Sequence, residues 1–106
     1  MQIVLRVRDE TTVLPHRSHH YLLVTLARAR LADADAPEVD RGWLAREDLC
    51  RMLAIDPQRL SVEIYRARRQ MTGLGLAGGA EVVERRGATG EIRLGVRSVE
   101  VVRLGD

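Results

Sequence analysis

The dipeptide Asp56-Pro57 constrains this chain more than any other feature. An aspartate side chain caps the free amides of a first helical turn, and proline at the first helical position gives up no hydrogen bond. A helix therefore starts here. Within it Leu60, Ile64, Ala67 and Met71 fall within about 60° of one another at 100° per residue, giving one narrow buried stripe. Opposite the stripe lie Gln58, Val62, Tyr65, Arg66 and Arg69, with Arg59 and Arg68 flanking that outward face. Glu63 is its one dissenting charge. Upstream, Ala45-Arg46-Glu47-Asp48 starts another helix, with acids in the first turn where the helix dipole favours them. Its apolar residues Leu49, Met52 and Leu53 share a side, and Ala54-Ile55 ends it. Two helices separated by so tight a turn make a helix-turn-helix pattern.

The flanking segments complete the layout. Ile3, Leu5 and Val7 alternate with polar residues, the period of a half-buried strand. Asp9-Glu10-Thr11 can turn it and Thr12-Val13-Leu14 can return before Pro15, so residues 1–15 read as a hairpin. Ser18 offers an N-cap hydroxyl to a first helix. In that helix Leu22, Leu23, Leu26, Ala27 and Arg30 or Leu31 recur at three- and four-residue steps. The run ADADAPEVDRG at 32–42 is an acidic loop. Trp43-Leu44 reads as a short extended piece making a single bridge at most, with Trp43 placed in the core. Gly73, Gly75, Gly78 and Gly79 end the third helix. Glu81–Arg85 and Glu91–Leu94 then form a second hairpin over 81–94, with Arg86–Gly90 as its loop. A last strand is expected within 96–104. The expected class is α+β, a three-helix core over 18–71 between two hairpins.

At 106 residues the chain fits one domain. Its single cysteine permits no internal disulfide, no apolar run approaches a membrane span, and no secretory leader pattern opens it, so a reducing, cytoplasmic location is expected. All 17 basic residues are arginine. Six acids face two arginines between Asp33 and Asp48, a balance of −4, whereas seven arginines face four glutamates between Pro57 and Arg93, a balance of +3. Such a dipolar chain can turn its basic half toward a polyanion. Arg85 and Arg86 near the second hairpin's tip suit phosphate contacts. His16, His19 and His20 fall near one side of a helical turn, but no neighbouring cysteine or carboxylate completes a tetrahedral set, so no metal or cofactor is expected. Cys50 reads as a packed, unreactive thiol. No glycine-rich phosphate loop and no nucleophile with a suitably spaced base appear, which argues against an enzyme.

The order hairpin, helix, helix, tight turn, arginine-rich helix, hairpin resembles the winged helix-turn-helix effector domain of OmpR/PhoB-type bacterial response regulators. HHYLLVTLARARL, WLAREDLCRML, LSVEIYRARRQM and VVERRGATGEIRL carry the likeness over roughly Ser18 to Leu94. Ser18–Leu31 and Glu47–Ile55 are more closely similar to the winged helix accompanying forkhead-associated (FHA) domains in bacterial signalling proteins. The resemblance implies a transcription-regulating module on double-stranded DNA, its third helix in the major groove and its second hairpin, the wing, on the adjacent backbone or minor groove. It assigns groove contacts to Val62, Tyr65, Arg66 and Arg68, and wing contacts to Arg86 and Thr89. Gln58, Arg59, Arg69 and Arg85 join them from the helix face and hairpin tip. A homodimer on DNA would supply two half-sites. Glu63 stands where the family has histidine, Gln70 where it has lysine, and the wing lacks the family's Gly-Tyr pair. Winged helices also serve as protein-interaction modules, and an FHA-type signalling partner is the alternative.

Overall fold

The computed structural model describes residues 3–7, 10–14, 17–74 and 79–95. Their elements run β1 (Val4–Val7), β2 (Glu10–Val13), α1 (His20–Ala32), a 3-10 turn at Glu38–Asp40, α2 (Arg46–Leu53), α3 (Pro57–Gly73), a second 3-10 turn at Gly79–Val82, β3 (Val83–Arg85) and β4 (Ile92–Leu94). The described residues thus form an α+β fold of three α-helices and two antiparallel hairpins. None of its helices is long and apolar enough to cross a membrane.

Packing follows the periodicity of the sequence. All four stripe residues of α3 are buried, and they meet Leu22, Leu23, Leu26 and Ala27 of α1, Leu49 of α2 and Val83, Ile92 and Leu94 of the second hairpin. Each leucine taken fully out of water contributes roughly 1.5–3 kcal/mol, so this seam between α1, α3 and the hairpin carries much of the fold. The start of α3 forms as its dipeptide dictates: Asp56 Oδ1 accepts from the Arg59 amide at 2.7 Å. Three residues, Ala54–Asp56, join α2 to α3. Ala54 turns the chain with a φ of 55°, which lets the Ile55 amide donate back to Cys50 O at 3.0 Å.

The hairpins are short. In the first, Val4 faces Val13 and Val7 faces Glu10. In the second, Val83 faces Leu94 and Arg85 faces Ile92, while Leu44 and Ile92 exchange two 2.9 Å hydrogen bonds along the other edge of β4. That is the single bridge expected after the acidic loop.

Several expectations change. Ser18 does not cap α1, whose N-cap is His19 without a side-chain bond; its hydroxyl instead donates to the Glu63 carboxylate. Between Arg30 and Leu31 it is the arginine that turns inward, because Glu38 pairs with its guanidinium and Leu94 O accepts from it at 3.1 Å. Gly42, at a φ of 77°, lets the loop return against this residue, since a Cβ there would sit 2.9 Å from Arg30 Cα. Met52 is exposed, as the eight residues of α2 bury only Leu49 and Cys50. Trp43 is half-buried and outside the core, drawn away by groups described below. Glu81 and Val82 belong to a 3-10 turn, so β3 starts at Val83. Pro15, His16, Gly75, Gly78 and the strand expected within 96–104 lie outside the described residues.

Candidate functional site

The outward face of α3 follows from the burial of its stripe. Gln58, Arg59, Val62, Tyr65, Arg66 and Arg69 are all solvent-exposed along one side of the helix. The helix carries four arginines against one glutamate, a balance of +3, and that glutamate is buried. The exposed guanidiniums differ in what holds them, and Arg59 has the shortest contact. Arg66 lies 3.7 Å from Glu63, Arg69 donates to Tyr65 Oη at 3.1 Å, and Arg59 pairs with Glu63 at 2.7 Å.

Arg68 behaves differently from its neighbours. Flanking the stripe, it is half-buried and donates from Nη2 to Val83 O at 2.9 Å, bracing α3 against β3, while its buried Nε meets no hydrogen-bond partner among the described residues. The geometry therefore gives Arg68 a bracing part and leaves the outward face to the other arginines.

Between α3 and the second hairpin runs a groove of about 180 Å³. Its rim carries Arg46, Ser61, Tyr65, Arg68 and Arg85, and its floor is apolar, from Ile64, Val83 and Ile92. No acid lines it. Arg85 is exposed on β3 and makes no ion pair among the described residues. Arg46 and Ser61 escaped the sequence reading. Arg46 stands at the start of α2, and its Nη2 donates to Ser61 Oγ at 3.0 Å, one turn into α3. No local signal pointed to them, because Arg46 stands at the end of α2 away from the turn and meets Ser61 only through the way the two helices cross.

The hairpin arginines separate into two kinds. Arg86 stacks on Trp43, its guanidinium carbon 4.1 Å from the ring centroid, with Glu91 at 3.6 Å and Val39 O at 3.4 Å. Arg93 stacks 4.4 Å from the same ring, pairs with Glu84 at 3.0 Å and donates to Glu38 O and Arg41 O at 2.7 and 3.3 Å. The Trp43 indole N–H donates to Val39 O at 2.8 Å. An indole between two guanidiniums is a favourable cation–π arrangement, which is why Trp43 faces the hairpin rather than the core. The acidic loop is thereby fastened along β4, while α3 reaches the hairpin through β3. Thr89 is exposed in the hairpin loop, and its Oγ1 donates to Glu91 Oε1 at 2.9 Å. Of the residues named from the sequence, Tyr65, Arg68 and Arg85 meet at the groove, whereas Arg86 and Thr89 share Glu91 in the hairpin loop.

A second polar cluster joins α1 to α3. The side-chain oxygen of Gln70 lies 2.6 Å from His19 Nε2 and 2.9 Å from His20 Nε2, and both histidines are buried. Their edge-to-face contact, with centroids 4.9 Å apart, fixes both rings. Among the described residues no three or more His, Cys, Asp or Glu side chains converge in a way that could hold a metal ion. Cys50 is buried in α2. Comparison with known proteins finds no family model, no curated protein and no solved structure that matches this chain.

Proposed function

We propose that the chain is a winged helix-turn-helix module that docks α3 in the major groove of duplex DNA and sets its second hairpin, as the wing, on the adjacent backbone or minor groove. The observation carrying this reading is the outward face of α3, where Gln58, Arg59, Arg66 and Arg69 stand exposed and the helix's one acid is turned inward. A guanidinium fork reaching guanine O6 and N7 discriminates by roughly 1–3 kcal/mol, glutamine matches the adenine edge, and apolar groups such as Val62 can meet thymine methyls. Arg85, at the rim of a groove that no acid lines among the described residues, suits a phosphate of the same duplex. One such module reads one half-site, so useful specificity calls for a second copy on the DNA. This reading places the chain among cytoplasmic transcription regulators with no catalytic role.

The test is fluorescence anisotropy on a random-sequence duplex at low and high salt, followed by selection of bound sequences from a random library. Salt-dependent binding is expected, and Arg66→Ala should weaken the selected duplex by about 1–3 kcal/mol. A titration unchanged by that substitution at fixed salt would count against groove contact. A second reading draws on the exposed apolar groups Tyr65 and Met52, which also suit a protein partner such as an FHA-type signalling protein. No binding to duplex at any salt, with stoichiometric capture of such a partner, would favour it.

A further inference from the structure

Glu63 is the one acid on α3, and the docking proposed above makes no use of it. Its side chain is 6% exposed, against 46% and 50% for the two arginines it meets. Arg59 Nη2 lies 2.7 Å from Glu63 Oε1, and Arg66 Nη1 lies 3.7 Å from the same atom. From outside the helix, Ser18 Oγ donates to both carboxylate oxygens, at 3.1 and 3.3 Å. The acid thus sits beneath two half-exposed guanidiniums, one turn to either side along the helix, and is itself pinned from the segment entering α1.

We infer that Glu63 is a specificity-determining positioning residue, holding Arg59 and Arg66 at a fixed spacing on the face that meets DNA. The inference rests on the duplex reading of that face. An arginine whose three-methylene stem is free can swing to whichever phosphate is nearest, and so binds every sequence alike. Held at one terminal nitrogen by a carboxylate, the same guanidinium keeps one direction for its remaining N–H groups, so a base edge that does not match leaves them unpaired. The buried negative charge also offsets part of the attraction that both arginines exert on any phosphate. Glu63 should therefore lower affinity for arbitrary DNA while widening the gap between right and wrong sequences.

The experiment compares Glu63→Gln with the wild-type chain. Glutamine keeps the shape and one acceptor oxygen, removes the charge and puts an NH2 donor in place of the other oxygen. Two probes are titrated by anisotropy across salt: a duplex selected by the wild-type chain from a random library, and a random-sequence duplex of equal length. For the variant, affinity for the random duplex should rise severalfold. The slope of log K against log salt should steepen by up to about 0.9, one more phosphate neutralised. The ratio of selected to random affinity should fall about tenfold. A merely structural glutamate would instead lower both affinities together and leave the slope no steeper, which overturns the inference, as does a ratio unchanged within twofold. Ser18→Ala provides an independent check, since it releases the pin without altering charge or α3. It should lower the ratio and leave the slope alone, and an unaltered ratio counts against the inference even where Glu63→Gln fails to fold. Wild-type chain that binds neither duplex at low salt removes the duplex reading and this inference with it. Salt-dependent wild-type binding with an unmoved variant ratio removes the inference alone.

Discussion

Arg85 and Arg86 are neighbours in sequence, yet alanine at each position should fail in a different assay. Arg86 stacks 4.1 Å from the Trp43 centroid, worth about 0.5–1 kcal/mol at a partly exposed site. Its pairing with Glu91, at 3.6 Å between half-exposed groups, adds a few tenths at most. The 3.4 Å bond to Val39 O adds little more. Arg86→Ala should therefore cost about 1 kcal/mol of stability, which for a domain of this size lowers Tm by about 4–6 °C. Arg85 makes no ion pair among the described residues and stands exposed on the rim of the groove, so Arg85→Ala should stay within about 0.5 kcal/mol of wild type in stability. In DNA titrations the order reverses. Arg85→Ala should flatten the salt slope by about 0.9, the loss of one phosphate contact, and Arg86→Ala should leave it unchanged. Thermal unfolding followed by circular dichroism, paired with anisotropy across salt, reads both quantities on the same samples. If Arg86→Ala flattens the slope while its Tm holds, the guanidinium is not committed to Trp43, and the division of labour drawn from the hairpin is wrong.

Two further outcomes concern the scaffold. Arg30 is buried and its partner Glu38 is partly exposed, so removing the acid strands a buried cation, whereas removing the arginine leaves an acid that water can reach. Glu38→Ala should cost about 2–3 kcal/mol in urea unfolding and Arg30→Met about 1 kcal/mol, and the reverse order would contradict the pairing. At the turn between α2 and α3, Ala54 adopts a φ of 55°, a conformation costing a non-glycine residue roughly 1–2 kcal/mol. Ala54→Gly recovers that strain less the entropy of a freer unfolded chain, so a net gain of about 0.5 kcal/mol is expected, and a loss would mean the strain is absent.

What could be read from the sequence depended on how local its cause was. The stripe Leu60–Ile64–Ala67–Met71 and the Asp56 cap rest on spacing and on one side chain reaching three residues ahead, and both appear as expected. Cys50 is buried beside Leu49 where the three-residue step had pointed to Met52, so spacing alone does not account for the buried side of α2. Trp43 was misplaced because its environment comes from Arg86 and Arg93, more than forty residues on, and no window near Trp43 contains them. Ser18 was read as a cap because the rule for helix starts sees only the helix that follows, while the Glu63 carboxylate competing for its hydroxyl lies 45 positions away. Glu63, expected as the dissenting charge of the outward face, is buried instead. At 100° per residue it sits beside the stripe rather than opposite it, but a carboxylate is seldom buried unless paired, and its partners could not be chosen from the helix alone.

A net charge of +2 is small for a chain read as a DNA binder, but the sum over the sequence is not what a phosphate meets. Folding sorts the arginines by what they touch. Arg30, Arg41, Arg86 and Arg93 surround the acidic loop and the hairpin, where Glu38, Glu84, Glu91 and backbone carbonyls engage them. On α3 the balance differs, since Arg59 and Arg66 share one buried carboxylate and Arg69 touches only a phenol hydroxyl among the described residues. Arg85, which makes no ion pair among the described residues, adds a further cation across the groove. Screening confines a surface charge to about 8–10 Å at ordinary ionic strength, so a ligand beside α3 responds chiefly to the charges nearest it, these arginines among them. The local surplus on that face, rather than the small total, is the quantity on which the DNA reading depends.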